Sequence, residues 1–489
     1  MGELMTQLRT EDAGSGRAGD PSGTRSRLDR FFKISDRGST ISRELRGGLT
    51  TFVAMAYIVI LNPLILGSSA DITGRELSTA ELTTATAFTA AFATILMGVV
   101  GNAPLALASG LGVNAIVAFT IAPTMTWEQA FGLVVLEGIC IIIMAASGLR
   151  QKIIDAIPDA LKTSLTVGIG LYIALIGLVQ AGFVTRNPDS ANTTVPVGMG
   201  NGGTLQGWPI AVFCVTLLLM VVLVARKVSG AILISIATGT VLGVVVNYAF
   251  GLTQQDWGLI QPNLPDNVVA APDFGLFGDI DLFGGFAAAG GIAATMFLFT
   301  LVLSGFFDAM GTITSVSNQA GLVSDGKVIG MGRILTSDGI AAAAGGVTGS
   351  SPNTVFIESA AGVGEGSRTG LSSVLTGGLF LVALLFTPFV SVVPAQAAAP
   401  ALVIVGGMMM AQCTKLPWDD PDYTIPMFVT IALIPYTYVI TNGVGAGIIA
   451  FAVIKLARGK VREIGWLVGI LAIVFAIYFG IDAIEILFA

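Results

Sequence analysis

Apolar runs recur along this chain from residue 48 to residue 487, interrupted only by short polar or glycine-rich stretches. A helix needs about 20 apolar residues to cross a hydrocarbon core of ~30 Å, and most of these runs approach or reach that length. The composition agrees, with 54% hydrophobic and 11% charged residues and a mean hydropathy of +0.83. No soluble domain needs so much apolar surface. The runs are continuous rather than alternating, which argues against a β-barrel. The expected fold is therefore an all-α polytopic membrane protein with about 14 transmembrane segments. Glycine is abundant, at 62 of 489 residues, which points to close helix packing and broken helices.

Charge placement orients the spans. The polar stretch 1–46 carries nine Lys or Arg residues and no apolar h-region, so it reads as a cytoplasmic tail rather than a signal peptide. Residues 28–34 read as a basic juxtamembrane anchor. With the N-terminus inside, alternate threading puts Arg150, Lys152, Lys162, Arg226, Lys227, Lys327, Arg333 and the cluster Lys455, Arg458, Lys460 and Arg462 inside. The loop 250–286 then lies outside, and it holds five Asp and no Lys or Arg. The run 464–487 is either a fifteenth span or a helix packed at the edge.

Two runs are too short to span. One opens at the breaker Gly349-Ser-Ser-Pro-Asn and carries Glu358. From Thr354 to Gly364 a helix would extend only roughly 16 Å. The other opens at Ala108-Ser-Gly-Leu-Gly-Val and reaches Asn114. These are spans 10 and 3, seven apart. Prolines likewise open spans 5 and 12, at Ile157-Pro-Asp and Val393-Pro-Ala, ahead of Gly168-Ile-Gly170 and Gly406-Gly407. Seven is odd, so a repeat of seven spans would be inverted. Two broken helices would then aim their positive ends at one midplane point.

An acid at membrane depth is costly and usually marks a partner or pathway. Glu358 and Asp308 are the main candidates, and neither has a basic neighbour in its own span. Glu137 lies mid-span too, and reads as a structural glutamate bonded to a neighbouring backbone. Asn114 is a neutral donor and acceptor at the third span's break. The chain has no histidine, so any proton relay runs on Asp and Glu. Cys140, Cys214 and Cys413 are isolated and form neither metal spacing nor a disulfide framework. No metal, cofactor or nucleic-acid partner is expected. An intramembrane enzyme would want a Ser/Lys, His/metal or paired-Asp site, and acids on two separate broken helices suit substrate clamping better.

The residues around these positions resemble the nucleobase–cation symporter-2 (nucleobase/ascorbate transporter) group. Within it, the chain is most similar to the AzgA-like hypoxanthine/adenine/guanine permease branch. The motifs appear in order: Phe31-Phe-Lys-Ile-Ser, Arg46-Gly-Gly-Leu-Thr-Thr-Phe-Val-Ala-Met-Ala-Tyr-Ile, Gly110-Leu-Gly-Val-Asn-Ala, Phe307-Asp-Ala-Met-Gly-Thr, Pro352-Asn-Thr-Val-Phe-Ile-Glu-Ser and Gly362-Val-Gly-Glu-Gly-Ser-Arg-Thr-Gly. The resemblance implies two inverted seven-span repeats arranged as core and gate domains. The core would comprise 47–148 (spans 1–4) and 287–391 (spans 8–11). The gate would comprise 149–249 (spans 5–7) and 392–460 (spans 12–14), with 461–489 as a C-terminal hydrophobic segment.

The resemblance also implies that Asp308, Glu358 and Asn114 bind substrate, with Thr312, Ile357 and Phe307 beside them in the same motifs. Phe306 and Phe356 are further candidates for an apolar wall. Asp308 and Glu358 would couple protons. The branch commonly carries a second acid one turn before Asp308, and this chain has Gly305 there; the expectation is that Gly305 opens the pocket. The implied function is import of a purine base (hypoxanthine, guanine or adenine) by proton symport through alternating access in the plasma membrane. Homodimers are common among related folds. The alternative is another nucleobase, xanthine or uracil, or an anion on the same fold; two acids at the site argue against the anion.

Overall fold

The computed structural model describes residues 26–147, 158–186, 197–200, 203–258, 260–265, 267–324 and 327–488, with the side chains of residues 307 and 481–488 outside that description. The tail 1–25 and the loop holding Arg150 and Lys152 also lie outside the described residues. Most described residues are helical, and among them ten helices are long and apolar enough to cross a membrane.

The first membrane segment is two helices, α1 (Ile41–Met55) and α2 (Ile58–Leu66), separated at Ala56 and Tyr57. Thr40 caps α1 by accepting from the Arg43 amide. Ahead of it, a short helix Arg27–Phe32 buries Phe32 and leaves Leu28 and Phe31 exposed, as an interfacial anchor would. Asn102 pins this anchor by donating to the Phe32 carbonyl at 3.0 Å. Next comes α3 (Thr79–Leu96), which winds on through Gly101.

The third segment opens as a strand, β1 (Leu107–Ser109), before α4 (Leu111–Ile116). Long helices α5 (Trp127–Ser147), α6 (Asp159–Gln180), α7 (Trp208–Ala225), α8 (Ala231–Phe250) and α9 (Gly291–Gln319) follow, then α10 (Met331–Val347). The tenth segment is β2 (Asn353–Val355) and α11 (Ser359–Gly364). After it come α12 (Gly370–Ala383), α13 (Ala395–Met410), α14 (Pro421–Thr437), α15 (Ile440–Ala457) and α16 (Trp466–Phe488).

Two expectations need correction. The chain is not purely α: β1 and β2 pair antiparallel, with Leu107 opposite Val355 and Ser109 opposite Asn353. Residues 354–358 therefore form strand and turn rather than helix, and the helix beyond is only the six residues of α11. The physical reason is backbone satisfaction. Irregular backbone at membrane depth must find partners inside the protein, and each broken segment supplies them to the other. Two more bonds extend the pairing, Gly110 N–H to the Pro352 carbonyl at 3.0 Å and Phe356 N–H to the Ala106 carbonyl at 2.9 Å.

Helix packing follows small residues. α5 lies along α10, α3 and α1 along α12, and α1 against α11. Elsewhere α6 packs on α13 and α14, and α7 and α8 pack on α13. The glycines inside spans 5 and 12 meet: a Cβ on Gly406 would lie 2.3 Å from the Gly170 carbonyl oxygen. Only glycine lets two backbones approach so closely. The helix α16 packs against α15 and α9, with Phe475 against Gly445 and the Phe299 ring.

The basic cluster at the end of α15 is not free. Lys455, buried, donates to Asp422 at 2.8 Å, and Lys460 to Asp422 at 2.6 Å; Arg458 bonds the same carboxylate. This ties the start of α14 to the end of α15. Cys140, Cys214 and Cys413 are unpaired and half-buried.

Candidate functional site

The two strands lie side by side and end where their half-helices begin. β1 delivers Gly110, Leu111 and Gly112, and β2 delivers Phe356, Ile357 and Glu358, to one cavity of about 380 Å³. α9 adds Asp308, Gly311, Thr312 and Ser315. Thr166 from α6, Val405, Met408 and Met409 from α13, and Gln412 and Lys415 just after it complete the lining. The space suits a small planar ligand, within the usual range for such pockets.

Glu358 is the residue before α11, partly exposed to the cavity. Its Oε1 accepts from the Tyr57 hydroxyl. Tyr57 is 1% exposed and sits where α1 breaks from α2, so the break of the first segment serves the break of the tenth. Asp308 is exposed into the cavity from the middle of α9, and Thr312, one turn on, lines the same wall. Ile357, 44% exposed, presents an apolar edge beside the acids. Phe356 also lines the cavity, while Phe307 lies outside the described side chains.

Several sequence candidates sit elsewhere. Asn114 is fully buried behind β1, where its Oδ1 accepts from the Ser351 hydroxyl. It belongs to a polar network that holds the breaker loop. Asn62 on α2 donates to Thr86 Oγ1 at 2.7 Å and to Ser350 Oγ at 3.0 Å, and the Ser109 and Ser350 hydroxyls bond at 3.0 Å. Phe306 is buried among Ile141, Met144 and Ala342, away from the cavity. Gly305 does not open the pocket: a Cβ there would lie 2.5 Å from Glu137 Oε1 on α5. Gly305 lies only about 60° round α9 from Asp308, but on the side where α5 packs, and Glu137 fills the space beside it. Glu137 in turn bonds no neighbouring backbone; both its oxygens are buried without a hydrogen-bond partner among the described residues.

Sequence reasoning missed Tyr57 and Lys415. Tyr57 stands in the Arg46-to-Ile58 motif, and a phenol in the middle of an apolar run was its signal. Lys415 lies 57 residues beyond Glu358, and no local pattern links the two. A basic residue therefore does line the same cavity as the acids.

The chain matches the Permease family over residues 42–446. It belongs to that family. The guanine/hypoxanthine permease PbuO of Bacillus subtilis is 36% identical over 454 residues, covering 91% of this permease and 99% of that protein. The adenine permease AdeP of Escherichia coli is 34% identical over 452 residues, covering 92% and 95%. These relatives fit the nucleobase/ascorbate transporter group. Among solved structures, the transmembrane domain of the cyanobacterial bicarbonate transporter BicA aligns with a TM-score of 0.57 at 15% identity, over 87% of this permease and 97% of that chain. SLC26A9 aligns with a TM-score of 0.61 at 12% identity, over 88% and 67%. At such identities the likeness concerns the fold alone. This permease is thus a multi-pass membrane transport protein and not an enzyme.

Proposed function

We propose that this permease imports a purine nucleobase by proton symport, with alternating access in the plasma membrane. The observation that carries the reading is one cavity onto which two broken segments and α9 bring Glu358 and Asp308 together. A purine is planar, neutral and rich in N–H donors. Two carboxylates accept those donors, and Ile357 and Phe356 supply the apolar surface a ring needs. The names of the relatives, guanine/hypoxanthine and adenine permeases, support the same substrate class. A carboxyl group in a low-dielectric pocket can carry a proton, which supplies the coupling.

For the finer architecture we propose two inverted seven-span repeats, with spans 1–4 and 8–11 as core and 5–7 and 12–14 as gate. The pairing of helices supports it. Shifting each span by seven exchanges α5–α10 with α12–α3, and α1–α12 with α9–α5, while β1–β2 maps onto itself. With the N-terminus cytoplasmic, Ser315 and Lys415 fall toward the cytoplasm, so the cavity is in its inward-facing state. Asn114 acts by holding the breaker loop, one layer behind the substrate.

The test is uptake of radiolabelled hypoxanthine in cells lacking their own permeases, with adenine, guanine, xanthine and uracil as competitors. Accumulation that collapses with an uncoupler, and competition by purines over uracil, are expected. Glu358→Gln and Asp308→Asn should abolish accumulation at normal membrane abundance. Preferential competition by uracil, or wild-type kinetics in either variant, would overturn the reading.

A further inference from the structure

Behind the cavity, on the side of α9 facing α5 and α10, lies a second group of acids that substrate binding does not use. Glu137 on α5 is fully buried, and both its carboxylate oxygens lack hydrogen-bond partners among the described residues. Asp338 on α10 is 1% exposed, and its Oδ1 also lacks one. The helices that carry them are locked together, since a Cβ on Gly138 would lie 2.3 Å from the Ala343 amide nitrogen. On the third side Gly305 of α9 offers only a hydrogen, with its Cβ position 2.5 Å from Glu137 Oε1. The glycine thus seats that carboxylate against α9, three residues from Asp308.

The titratable groups that act on Glu137 are Asp338 from α10 and, one turn along α5, Cys140. α10 packs in turn on β2, the strand that leads to Glu358, and α9, which carries Asp308, packs on both α5 and β2. The four carboxyl groups thus stand on four elements packed one against the next, from α5 to the cavity. A buried carboxylate without a partner is among the costliest groups a fold can hold. Two such groups together satisfy each other when one carries a proton and donates it to the other.

We propose that Glu137 and Asp338 form a proton-holding pair behind the substrate cavity, exchanging a proton with Asp308 as the carrier turns over. When Asp308 has lost its proton to the inner water, the pair passes it one; once the site opens outward, Asp308 hands that proton back and takes the next from the outer water. Each hand-over between the pair and Asp308 moves one proton from a carboxyl to a carboxylate and breaks no other bond. A cation could also attract such oxygens. The tight seat against Gly305 leaves the Glu137 oxygens no room for a hydrated ion on that side, and this favours the proton.

The proposal rests on the proton-symport reading, and its test separates the two. The full-length protein in proteoliposomes is assayed with labelled hypoxanthine in two ways. One is exchange of internal for external purine without a gradient; the other is accumulation driven by an inward proton gradient. Glu137→Gln should retain exchange, lose gradient-driven accumulation, and move the pH profile of uptake by about one unit. Glu137→Asp, which restores an acid, should recover accumulation. Unchanged accumulation and pH profile in Glu137→Gln would overturn the pair. So would exchange and accumulation falling together at normal abundance, since that marks a structural role. Accumulation in the wild type driven by a sodium gradient, and lost in Glu137→Gln, would replace the proton with a cation. A wild-type protein that exchanges purine but ignores the proton gradient would instead sink the symport reading itself.

Discussion

At the scale of single residues, the site depends on side chains that hold other side chains. Tyr57 donates to Glu358 from a different broken segment, so the carboxylate reaches the cavity already oriented. A hydrogen bond to a charged group contributes about 1.5–3 kcal/mol. Tyr57→Phe is therefore expected to raise the KM for purine by roughly 10- to 100-fold with unchanged membrane abundance. Concentration-dependent uptake checks it, and a wild-type KM would show that the phenol serves packing alone. A second case stands in the loop between α2 and α3. Burial pushes the Asp71 carboxyl up, but hydrogen bonds from the Thr73 hydroxyl and amide and the Arg75 and Trp127 amides outweigh it and hold the group below its usual range. A depressed folded value stabilises above the unfolded value, near 3.9, and the gain vanishes as pH falls through the folded one. Asp71→Ala should lower the unfolding temperature of the purified protein at pH 7, and the difference from wild type should shrink below about pH 4. A difference that persists in acid would assign the loss to shape rather than charge.

At the scale of elements, the broken segments are each other's partners. A six-residue helix cannot stand alone at membrane depth. β1 and β2 complete each other's backbone bonds, and the Asn62–Ser350–Ser351–Asn114 network clamps the loop that leads into β2. The long helices obey a different rule, in which glycine sets the distance between axes. At the α6–α13 crossing a side chain on Gly406 would run into the Gly170 carbonyl. Gly406→Val is expected to cut membrane abundance sharply, because the clash is with backbone that cannot rotate away. Immunoblots of membrane fractions would check this. Normal abundance with normal uptake would mean that the two helices can separate at little cost.

For the whole molecule, the proposed inverted repeat makes a statement about sidedness. Lys327 should face the cytoplasm and Asp273 the exterior. Single cysteines at these positions, in a background without Cys140, Cys214 and Cys413, report this through a membrane-impermeant thiol reagent. Labelling is expected at 273 and not at 327 in intact cells. Labelling at 327 from outside would break the orientation, and the inward-facing assignment of the cavity with it. The acids and Lys415 line that one cavity from different elements.

The sequence by itself determined that this is a multi-pass helical membrane protein and which two segments are broken, because apolar length and Gly-Ser-Pro-Asn breakers act locally. It also singled out Asp308 and Glu358, since an unpaired acid in an apolar run is conspicuous without any partner being known. What lay across the cavity was not legible. Tyr57 and Lys415 come from segments hundreds or tens of residues away, and no local pattern links them to Glu358. The strand pairing of β1 with β2 was hidden for the same reason: each stretch is too short to declare itself, and becomes a strand only because the other lies beside it. The direction of Gly305 was decided by the packing of α9 against α5. Three residues along a helix leave a side chain about 60° from where it started, so Gly305 and Gly311 stand about 120° apart on either side of Asp308, the first against Glu137 and the second on the cavity.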